Sequence, residues 1–464
     1  MGLLIRNGRV VTEDGIKEEG ILIEEGKITG LGEIAEIPGL EILDAEGGFV
    51  IPGGIDPHTH MELEQSELYR SADDFYTGTV AAALGGTTTI IDHIGFAPAG
   101  SSLHHSLEAY HRKAEKAVVD YSFHGVFQHV DEKILRELKD LIEQEGIASF
   151  KAYSTYAFKT SDSDIYRILS VMKEAGGLLT MHCENDAVIG ILQAESLKAG
   201  HTEPIWHART RPDRTESEAI SRLAELSGLA GNAPVYIVHT STELGMRRIA
   251  SFQKEGIPIM METCPQYLLL TEDKYQDQGP SEGLKYIMAP PLRKERDREA
   301  LWQSLKDGTC QTIGTDHCPF LFQEKLAGLD NFSKAPGGAA GVQERIPLLF
   351  TEGFLTGRLS MERLVELTAT NPAKIMGLYP KKGTIRVGSD ADLVVLREGP
   401  EQFIRAKDQA SATDYSIYEG FRDLCQIDYV LSRGEIIVEG RQFSGRRARG
   451  RFLKRYRKDC YDNP

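Results

Sequence analysis

The chain has 464 residues, of which 41% are hydrophobic and 26% are charged, and its formal net charge is −16 at pH 7. This composition is ordinary for a globular protein, and the length predicts one large domain with a smaller one. The acidic balance disfavours nucleic acid and anionic membranes as partners, and no apolar run reaches the roughly 18 residues of a membrane span.

The cysteines and the N-terminal segment indicate the compartment. The six cysteines form no CxxC pair, which argues against a disulfide framework or a thiolate zinc site and predicts a reducing, cytoplasmic location. The first residues lack the apolar core of a signal peptide. Their Met-Gly start matches a myristoylation signal only weakly, because Arg6 stands where Ser or Thr is needed.

The two ends of the chain resemble each other. Residues 1–52 read as short strands with tight turns, since Asn-Gly and Glu-Gly steps separate apolar or alternating runs. The same pattern returns over 376–440, so both termini are predicted to build one small β-sandwich-like domain. A basic tail follows at 441–464, and we expect it to be solvated or to pack against an acidic neighbouring subunit.

The middle of the chain, residues 53–375, alternates short β-branched runs with amphipathic helical stretches. Such alternation predicts a parallel sheet, and eight strands are the number that closes a (β/α)₈ barrel; a doubly wound open sheet is the alternative. The predicted strands are 53–60, 87–94, 120–127, 148–155, 177–184, 234–241, 258–265 and 311–318. The clearest predicted helices are 102–118, 131–146, 162–177 and 214–231.

Polar side chains collect where these strands end. In a barrel the carboxyl ends of all strands meet at one face, and alternate residues on a strand point the same way. Imidazole nitrogens with a carboxylate and no thiolate suit a borderline metal. The sequence therefore predicts a metal centre from the four histidines and the aspartate at these ends, with a lysine beside them; the residues are His58, His60, Lys151, His182, His239 and Asp316.

Single residues of this set have simpler explanations. A lone histidine at a strand end is usually a hydrogen-bonded structural residue, and Asp316 alone could cap a helix. We assign the structural or supporting role to four other histidines, and solvent exposure to three on a predicted helix. The first group is His93, His124, His129 and His317; the second is His104, His105 and His111.

Lys151 is the unusual member of the set. An ammonium would repel metal cations, so a plain lysine at this place would have to extend to solvent or pair with a carboxylate. A desolvated lysine can instead be a neutral amine that adds carbon dioxide, and the carbamate is an anion able to bridge two metals. The residues alone leave both possibilities open.

Together the motifs resemble one family over essentially the whole chain. The set is similar to the cyclic amidohydrolases of the dihydropyrimidinase and hydantoinase group, and the hydantoinases in particular. The motifs that carry the resemblance are "PGGIDPHTH", "GTTTIIDH", "SFKAY", "MHCEN", "APVYIVHTS", "ETCPQYLLL", "APPLR" and "GTDHCPF". Any one of them alone is a weak signal, whereas their ordered combination is specific.

The resemblance implies two divalent metal ions per subunit, most often zinc. One ion would be held by His58, His60, carboxylated Lys151 and Asp316, and the other by the same lysine with His182 and His239. A hydroxide bridging the ions would attack a cyclic amide, namely a 5-substituted hydantoin, with D selectivity, or a dihydropyrimidine. The product would be an N-carbamoyl amino acid, and the resemblance also implies a homotetramer.

Two further roles follow from the resemblance. Asp316 would accept the hydroxide proton and deliver it to the leaving ring nitrogen. Tyr156 would donate to the developing oxyanion, although an aromatic ring packed over the barrel mouth is the simpler reading. The imide edge of the substrate would be held by backbone groups near Ala289 and Gly337, where many members have Ser and Asn, and Gln343 stands where many have Glu.

Substrate fit is the least determined property. The segment 61–70 differs from the small and aromatic residues that many hydantoinases carry there, and loops at a barrel mouth set specificity. An allantoinase remains an alternative, whereas Met61 and Glu62 argue against a dihydroorotase, which needs a cation there. A non-catalytic scaffold relative, such as the collapsin response mediators, is disfavoured because all six predicted ligand positions are intact.

Overall fold

A computed structural model describes residues 2–35, 39–98 and 100–457. The strands within these ranges are β1 (Leu3–Thr12), β2 (Gly15–Glu24), β3 (Lys27–Gly32), β4 (Glu41–Asp44), β5 (Phe49–Pro52), β6 (Gly54–Thr59), β7 (Thr87–His93), β8 (Asp120–Val126), β9 (Ser149–Tyr153), β10 (Leu178–His182), β11 (Val235–Ile237), β12 (Ile259–Thr263), β13 (Thr312–Ile313), β14 (Leu393–Phe403), β15 (Arg422–Ser432), β16 (Glu435–Glu439) and β17 (Gln442–Phe443).

The α-helices lie mainly between the strands of the middle region. They are α1 (Phe75–Leu84), α2 (Leu103–Ala114), α3 (Glu132–Asp140), α4 (Asp162–Ala175), α5 (Asp186–Lys198), α6 (Ile205–Arg209), α7 (Asp213–Leu229), α8 (Glu243–Lys254), α9 (Pro265–Leu269), α10 (Pro280–Gly283), α11 (Glu295–Asp307), α12 (Phe322–Lys325), α13 (Arg345–Leu348), α14 (Met361–Val365) and α15 (Asn371–Met376). No helix among the described residues is both long and apolar enough to cross a membrane.

Strands β6 to β13 form one parallel sheet in chain order, and the predicted barrel is confirmed. The sheet closes between its ends, because the Asp316 amide donates to the His58 carbonyl at 2.9 Å and the His60 amide donates to the His317 carbonyl at 2.9 Å. The open sheet considered as the alternative is therefore wrong. Most residues of these strands are buried on both faces, as expected for strands that are covered by helices outside and packed inside.

The predicted helices are present with shorter ends. The α4 helix begins after Ser161, whose side chain accepts from the Asp164 amide, and ends at Gly176 in the left-handed conformation with φ +80°. The predicted 131–146 segment forms α3 and continues as a π-helical turn over Leu141–Glu145. Local capping chemistry thus determined where these helices begin and end.

Both termini contribute to a second, mixed sheet of nine strands, as predicted. The order is β17-β16-β15-β14-β5-β1-β2-β3, with β4 paired to β1. The junction between the two chain ends is the antiparallel pair β5 and β14, in which Val50 lies opposite Val395. These two valines are fully buried in a separate apolar core.

Part of the basic tail packs against the barrel of its own chain, so the expectation of a solvated tail is corrected for Arg455 and Arg457, while other tail arginines such as Arg446 are exposed. Arg455 is fully buried and donates to Ser122 Oγ and Ser149 Oγ, both at 2.8 Å, and to backbone carbonyls. Arg457 donates to the Gly177 carbonyl at 3.0 Å. The backbone carbonyls and hydroxyls of the barrel's own strands and loops replace the water that these guanidinium groups lose on burial.

A buried lysine joins the second sheet to the barrel. Lys382 Nζ lies 2.7 Å from Asp120 Oδ2 in β8 and 3.1 Å from Asp390 Oδ2, and it also pairs with Asp392. The Lys382 side chain is only 1% exposed. Asp120 also pairs with Arg433, and Asp390 with two further lysines, whereas Asp392 has no other ion pair among the described residues. Removal of this cation would therefore leave the buried Asp392 carboxylate uncompensated.

We expect Lys382→Met to lower the free energy of unfolding by roughly 3–5 kcal/mol, because it leaves uncompensated buried charge. The measurement is urea-induced unfolding followed by circular dichroism. Lys139→Met is the control, since Lys139 forms only an exposed ion pair with Glu174 at 4.0 Å and its loss should cost less than about 1 kcal/mol. Equal effects of the two substitutions would contradict the assigned role of Lys382.

Candidate metal centre

The six residues predicted from the strand ends lie together at the carboxyl end of the barrel. Their positions are as follows: His58 near the end of β6, His60 just after it, Lys151 inside β9, His182 as the last residue of β10, His239 just after β11, and Asp316 just after β13. All of them are buried or nearly so. The side chains of five line one cavity of about 640 Å³, and His58 lies behind them.

The Asp316 carboxylate contacts the first two histidines of the set, His58 and His60. Its Oδ1 lies 3.0 Å from His58 Nε2 and 3.1 Å from His60 Nε2. Burial alone would raise the pKa of Asp316, but the two imidazoles outweigh burial and hold this pKa well below the usual range. Asp316 is therefore an ionised carboxylate in the centre of the cluster.

His182 and His239 form the other half of the cluster. His182 Nδ1 lies 3.0 Å from His239 Nε2, and His182 Nε2 lies 2.9 Å from Glu184 Oε2. Arg211 also donates to Glu184 Oε2, at 2.5 Å, so the carboxylate is ionised between two partners. When Glu184 accepts the Nε2 proton, the Nδ1 lone pair of His182 faces the cavity.

Glu184 and Glu262 are supporting residues that the sequence reasoning missed. Glu262 accepts a hydrogen bond from His58 Nδ1 at 2.6 Å and from the His239 amide at 2.9 Å, and Tyr236 donates to its other oxygen. The signals were available in the sequence. Glu184 is two residues after His182 on the same strand path, and Glu262 is a carboxylate inside an otherwise apolar strand.

Three of the predicted functional residues have strained backbones. The φ angles are +73° at Tyr156, +38° at His239 and +54° at Asp316, where side chains other than glycine seldom occur. Each amide donates a hydrogen bond that holds the conformation: Tyr156 to Asp186 Oδ1, His239 to Glu262 Oε1 and Asp316 to the His58 carbonyl. Such strain costs of order 1–3 kcal/mol per residue and is characteristic of functional sites.

Lys151 is 2% exposed, and its ammonium lies 5.3 Å from the centre of the Tyr153 ring. Burial lowers the pKa of Lys151 to about 8, which the carboxylates of Asp316 and Glu262 only partly oppose. Roughly a tenth of the amine is thus neutral at pH 7, far more than for an ordinary lysine. This is the chemical state that carbamate formation requires.

The donor set fits a divalent metal. His239 Nδ1 is buried and has no hydrogen-bond partner among the described residues, and His58 Nε2 is buried with only the Asp316 carboxylate near it. Ligand atoms of His58, His239 and Asp316 lie within 4.8 Å of one another, and so do those of His58, His60 and His93. Several nitrogens and one carboxylate converging in a buried space suit an ion of the zinc type.

The other histidines divide as follows. His317 and His124 are structural: His317 Nε2 lies 2.9 Å from Asp73 Oδ2, and His124 Nε2 donates to the Pro57 carbonyl at 2.9 Å. His93 is buried and stacks on His124 with ring centres 4.1 Å apart. Of the three histidines expected to be exposed, His105 is exposed, whereas His104 and His111 are only partly exposed. His111 packs edge-on against Phe123 and against Phe452 of the C-terminal tail.

The cavity continues outward to the loops predicted to bind substrate. Tyr156, Ala289 and Gly337 all line it. Of the 61–70 segment, Met61 and Glu62 point away from the cavity, since Met61 is fully buried and Glu62 pairs with Lys116 at 2.8 Å. The segment after them faces the cavity through Leu63, Glu64, Gln65, Ser66, Leu68 and Tyr69.

The fold and the site correspond to a known class. The family model of the amidohydrolase family matches residues 49–437, and the chain belongs to this family. Amidohydrolases typically depend on a binuclear metal centre. The predicted class of protein, a hydrolase, is therefore confirmed.

Similar sequences and solved structures place the chain within one group of this family. D-phenylhydantoinase from Escherichia coli O1:K1 is 46% identical over 98% of each chain. A solved D-hydantoinase superposes with a TM-score of 0.96 at 41% identity, and a dihydropyrimidinase from Brevibacillus agri with 0.96 at 39%; each comparison covers 98% of this chain and 99% of the other. The predicted resemblance to the hydantoinase and dihydropyrimidinase group is confirmed.

Glu262 can be tested as the residue that orients His58. We expect Glu262→Gln to weaken metal binding by about 10- to 100-fold, because the carboxylate fixes the His58 tautomer and supports the His239 amide. Metal retained after dialysis against graded chelator gives the measurement.

Glu216→Gln is the matched control for Glu262→Gln. Glu216 is equally buried at the barrel mouth but accepts hydrogen bonds from Ser241 and Thr242 rather than from a histidine. Metal retention should be unchanged in this control. If both variants lost metal equally, Glu262 would have no specific role at the histidines.

Proposed function

We propose that this chain opens the cyclic amide of 5-substituted hydantoins, with D selectivity, or of 5,6-dihydropyrimidines, and releases N-carbamoyl amino acids. The observation that carries the proposal is the convergence of four histidines, Lys151 and Asp316 at the inner end of one cavity. The names of the relatives, D-phenylhydantoinase and dihydropyrimidinase, support the substrate class.

The proposed ligands divide into two groups. His58, His60, Lys151 and Asp316 would hold one divalent ion, and Lys151, His182 and His239 the other, with Lys151 as a carbamate and zinc as the expected metal. The chemistry supplied by the bound ions is activation of a water at neutral pH and polarisation of the scissile carbonyl. The cationic ions also compensate the negative charge that the carbamate and Asp316 bring into the buried site.

Asp316 is the proposed proton carrier. It is ionised, faces the cavity and is held by the strained backbone described above, so its carboxylate can take a proton from the attacking water. The same carboxyl group then gives the proton to the ring nitrogen. Without that proton the amide nitrogen is a poor leaving group.

Tyr156 is the proposed donor to the developing oxyanion. Burial raises the pKa of its hydroxyl, which therefore keeps its proton at neutral pH. Its ring centre lies 5.4 Å from that of His182, on the cavity wall. Its backbone has a positive φ, and its side chain lines the cavity.

The imide edge of the substrate would meet backbone groups at Ala289 and Gly337. Both line the cavity, and a backbone contact survives the absence of the Ser and Asn side chains found in many relatives. The ring substituent would lie against the outer wall, where Leu63, Tyr69 and Phe158 supply apolar surface. Leu68, at 81% exposure, is free to cover the substituent.

We propose a homotetramer for the assembled enzyme. The proposal rests on the family resemblance, and the acidic net charge of −16 excludes neither assembly nor neutral small substrates. Sedimentation equilibrium of the purified chain would give the number of subunits.

A substrate panel tests the proposed reaction. We expect metal-replenished protein to hydrolyse D-5-phenylhydantoin and dihydrouracil with kcat/KM at least about tenfold above the values for allantoin and dihydroorotate, since an apolar wall disfavours their polar substituents. A similar preference over L-5-phenylhydantoin is expected from the resemblance to D-hydantoinases. Chromatography of the N-carbamoyl products measures the rates. A preference for allantoin would replace the proposed function with that of an allantoinase.

The bridging role of Lys151 is tested by substitution. We expect Lys151→Ala to lose metal and more than about a hundredfold of the hydrolysis rate, which exceeds the usual effect of an indirect ligand partner. Metal per chain and kcat are measured together. Lys139→Ala, which removes an exposed lysine that lies 4.0 Å from Glu174, is the control and should keep both. Unchanged hydrolysis in Lys151→Ala would refute the bridge.

A further inference from the structure

A second buried lysine lies beside the cavity without lining it. Lys325, the last residue of α12, is fully buried, and its Nζ donates to the carbonyls of Ile287, Pro336 and Gly338, each at 2.7 Å. An ammonium has three protons, so every proton has an acceptor. The residue is absent from the cavity wall, whereas Ile287, Pro336 and Gly338 form part of it.

The three acceptors come from the two segments that carry Ala289 and Gly337. Ile287 is two residues before Ala289, and Pro336 and Gly338 flank Gly337 directly. The Gly338 amide donates to the Ile287 carbonyl at 3.0 Å, so the two segments also touch each other at this point. The ammonium therefore lies at the junction of the segments proposed to hold the imide edge.

The junction has little freedom to relax. Gly338 has φ +145°, and a Cβ there would lie 2.3 Å from the Cys318 carbonyl oxygen, so only glycine permits this approach. Three carbonyl oxygens directed at one point repel one another unless a cation or several donors separate them. A water molecule has two protons to donate, whereas the ammonium has three and a positive charge.

We propose that Lys325 is a positioning residue that fixes the spacing of the 287–289 and 336–338 segments and so aligns the backbone acceptors for the ring N–H groups of the substrate. It acts through Ala289 and Gly337 and touches no substrate itself. This inference rests on the proposed function, since it assumes a cyclic imide between those segments.

The test combines Lys325→Met with methylated substrates. In the wild type, methylation of the ring nitrogen that faces a backbone acceptor should lower kcat/KM by roughly 5- to 10-fold, the value of one hydrogen bond. In Lys325→Met, kcat/KM for the parent hydantoin should fall about 10- to 100-fold. The reason is that a shift of the backbone acceptors by a fraction of an ångström moves the bound substrate out of its reactive position. In this variant, methylation of the substrate should lower kcat/KM by no more than about twofold, because the hydrogen bond that methylation removes has already been lost through the substitution.

Arg455→Met is the matched control. Arg455 is also a fully buried cation held by backbone carbonyls and hydroxyls, but near the amino-terminal end of β9. Its removal should leave the full methylation penalty, whatever its effect on Tm. Both mono-methylated hydantoins are assayed with each variant at a temperature where circular dichroism shows folded protein. Lys325→Gln, which keeps two donors, replaces the Met variant if the latter does not fold.

Hydrogen–deuterium exchange of the backbone amides tests the positioning role without measuring catalysis. We expect faster exchange in Lys325→Met confined to peptides covering 285–289 and 335–339. Unchanged exchange there, or methylation penalties equal to those of the wild type, overturns the positioning role. If the wild type hydrolyses no cyclic amide, the proposed function fails and the role of Lys325 in the substrate grip fails with it, while faster exchange would still identify Lys325 as the tie between the segments.

Discussion

Two backbone hydrogen bonds between the first and last barrel strands hold the whole site together. The Asp316 amide donates to the His58 carbonyl and the His60 amide donates to the His317 carbonyl, both at 2.9 Å. The same contacts close the barrel and place the Asp316 carboxylate against both imidazoles. Because Asp316 adopts a positive φ to make its bond, barrel closure and site geometry depend on one another. A change that weakened these two hydrogen bonds would displace the Asp316 carboxylate before it unfolded the barrel.

The histidines also need a second layer of carboxylates around them. Histidines at a metal site must present a lone pair inward, and the choice of tautomer is made by the partner of the other ring nitrogen. Glu262 reaches His58 and the His239 amide from β12, and Glu184 reaches His182 from the end of its own strand. These carboxylates connect residues from different strands, so the clustered residues at the carboxyl end of the barrel form one hydrogen-bonded unit.

The sequence predicted the elements whose signal is local and missed those whose signal is spatial. His58 and His60 are recognisable because their spacing places both on one side of a strand end, and the eight β-branched runs define the barrel. Lys325 and Arg455 were not predicted as buried residues, because their acceptors are backbone carbonyls that any residue carries. His111 was predicted to be exposed, since nothing near it in sequence announces Phe452, which is 341 positions away. Polar burial of this kind is decided by tertiary contacts alone.

Three buried lysines show how the surroundings determine the state of the same side chain. Lys382 is surrounded by carboxylates, which favour an ammonium. Lys325 has three carbonyls that match its three protons, although burial lowers its pKa to about 7. Lys151 is equally buried, yet among the described residues no carboxylate lies within ion-pair distance of it and its nearest recorded partner is an aromatic ring. Burial lowers its pKa to about 8, and the more distant carboxylates of Asp316 and Glu262 only partly oppose this shift. Lys151 differs from the other two lysines in its position, because it lines the cavity beside His60 and Asp316, whereas Lys325 and Lys382 do not. The proposal that Lys151 belongs to a metal centre rests on this position.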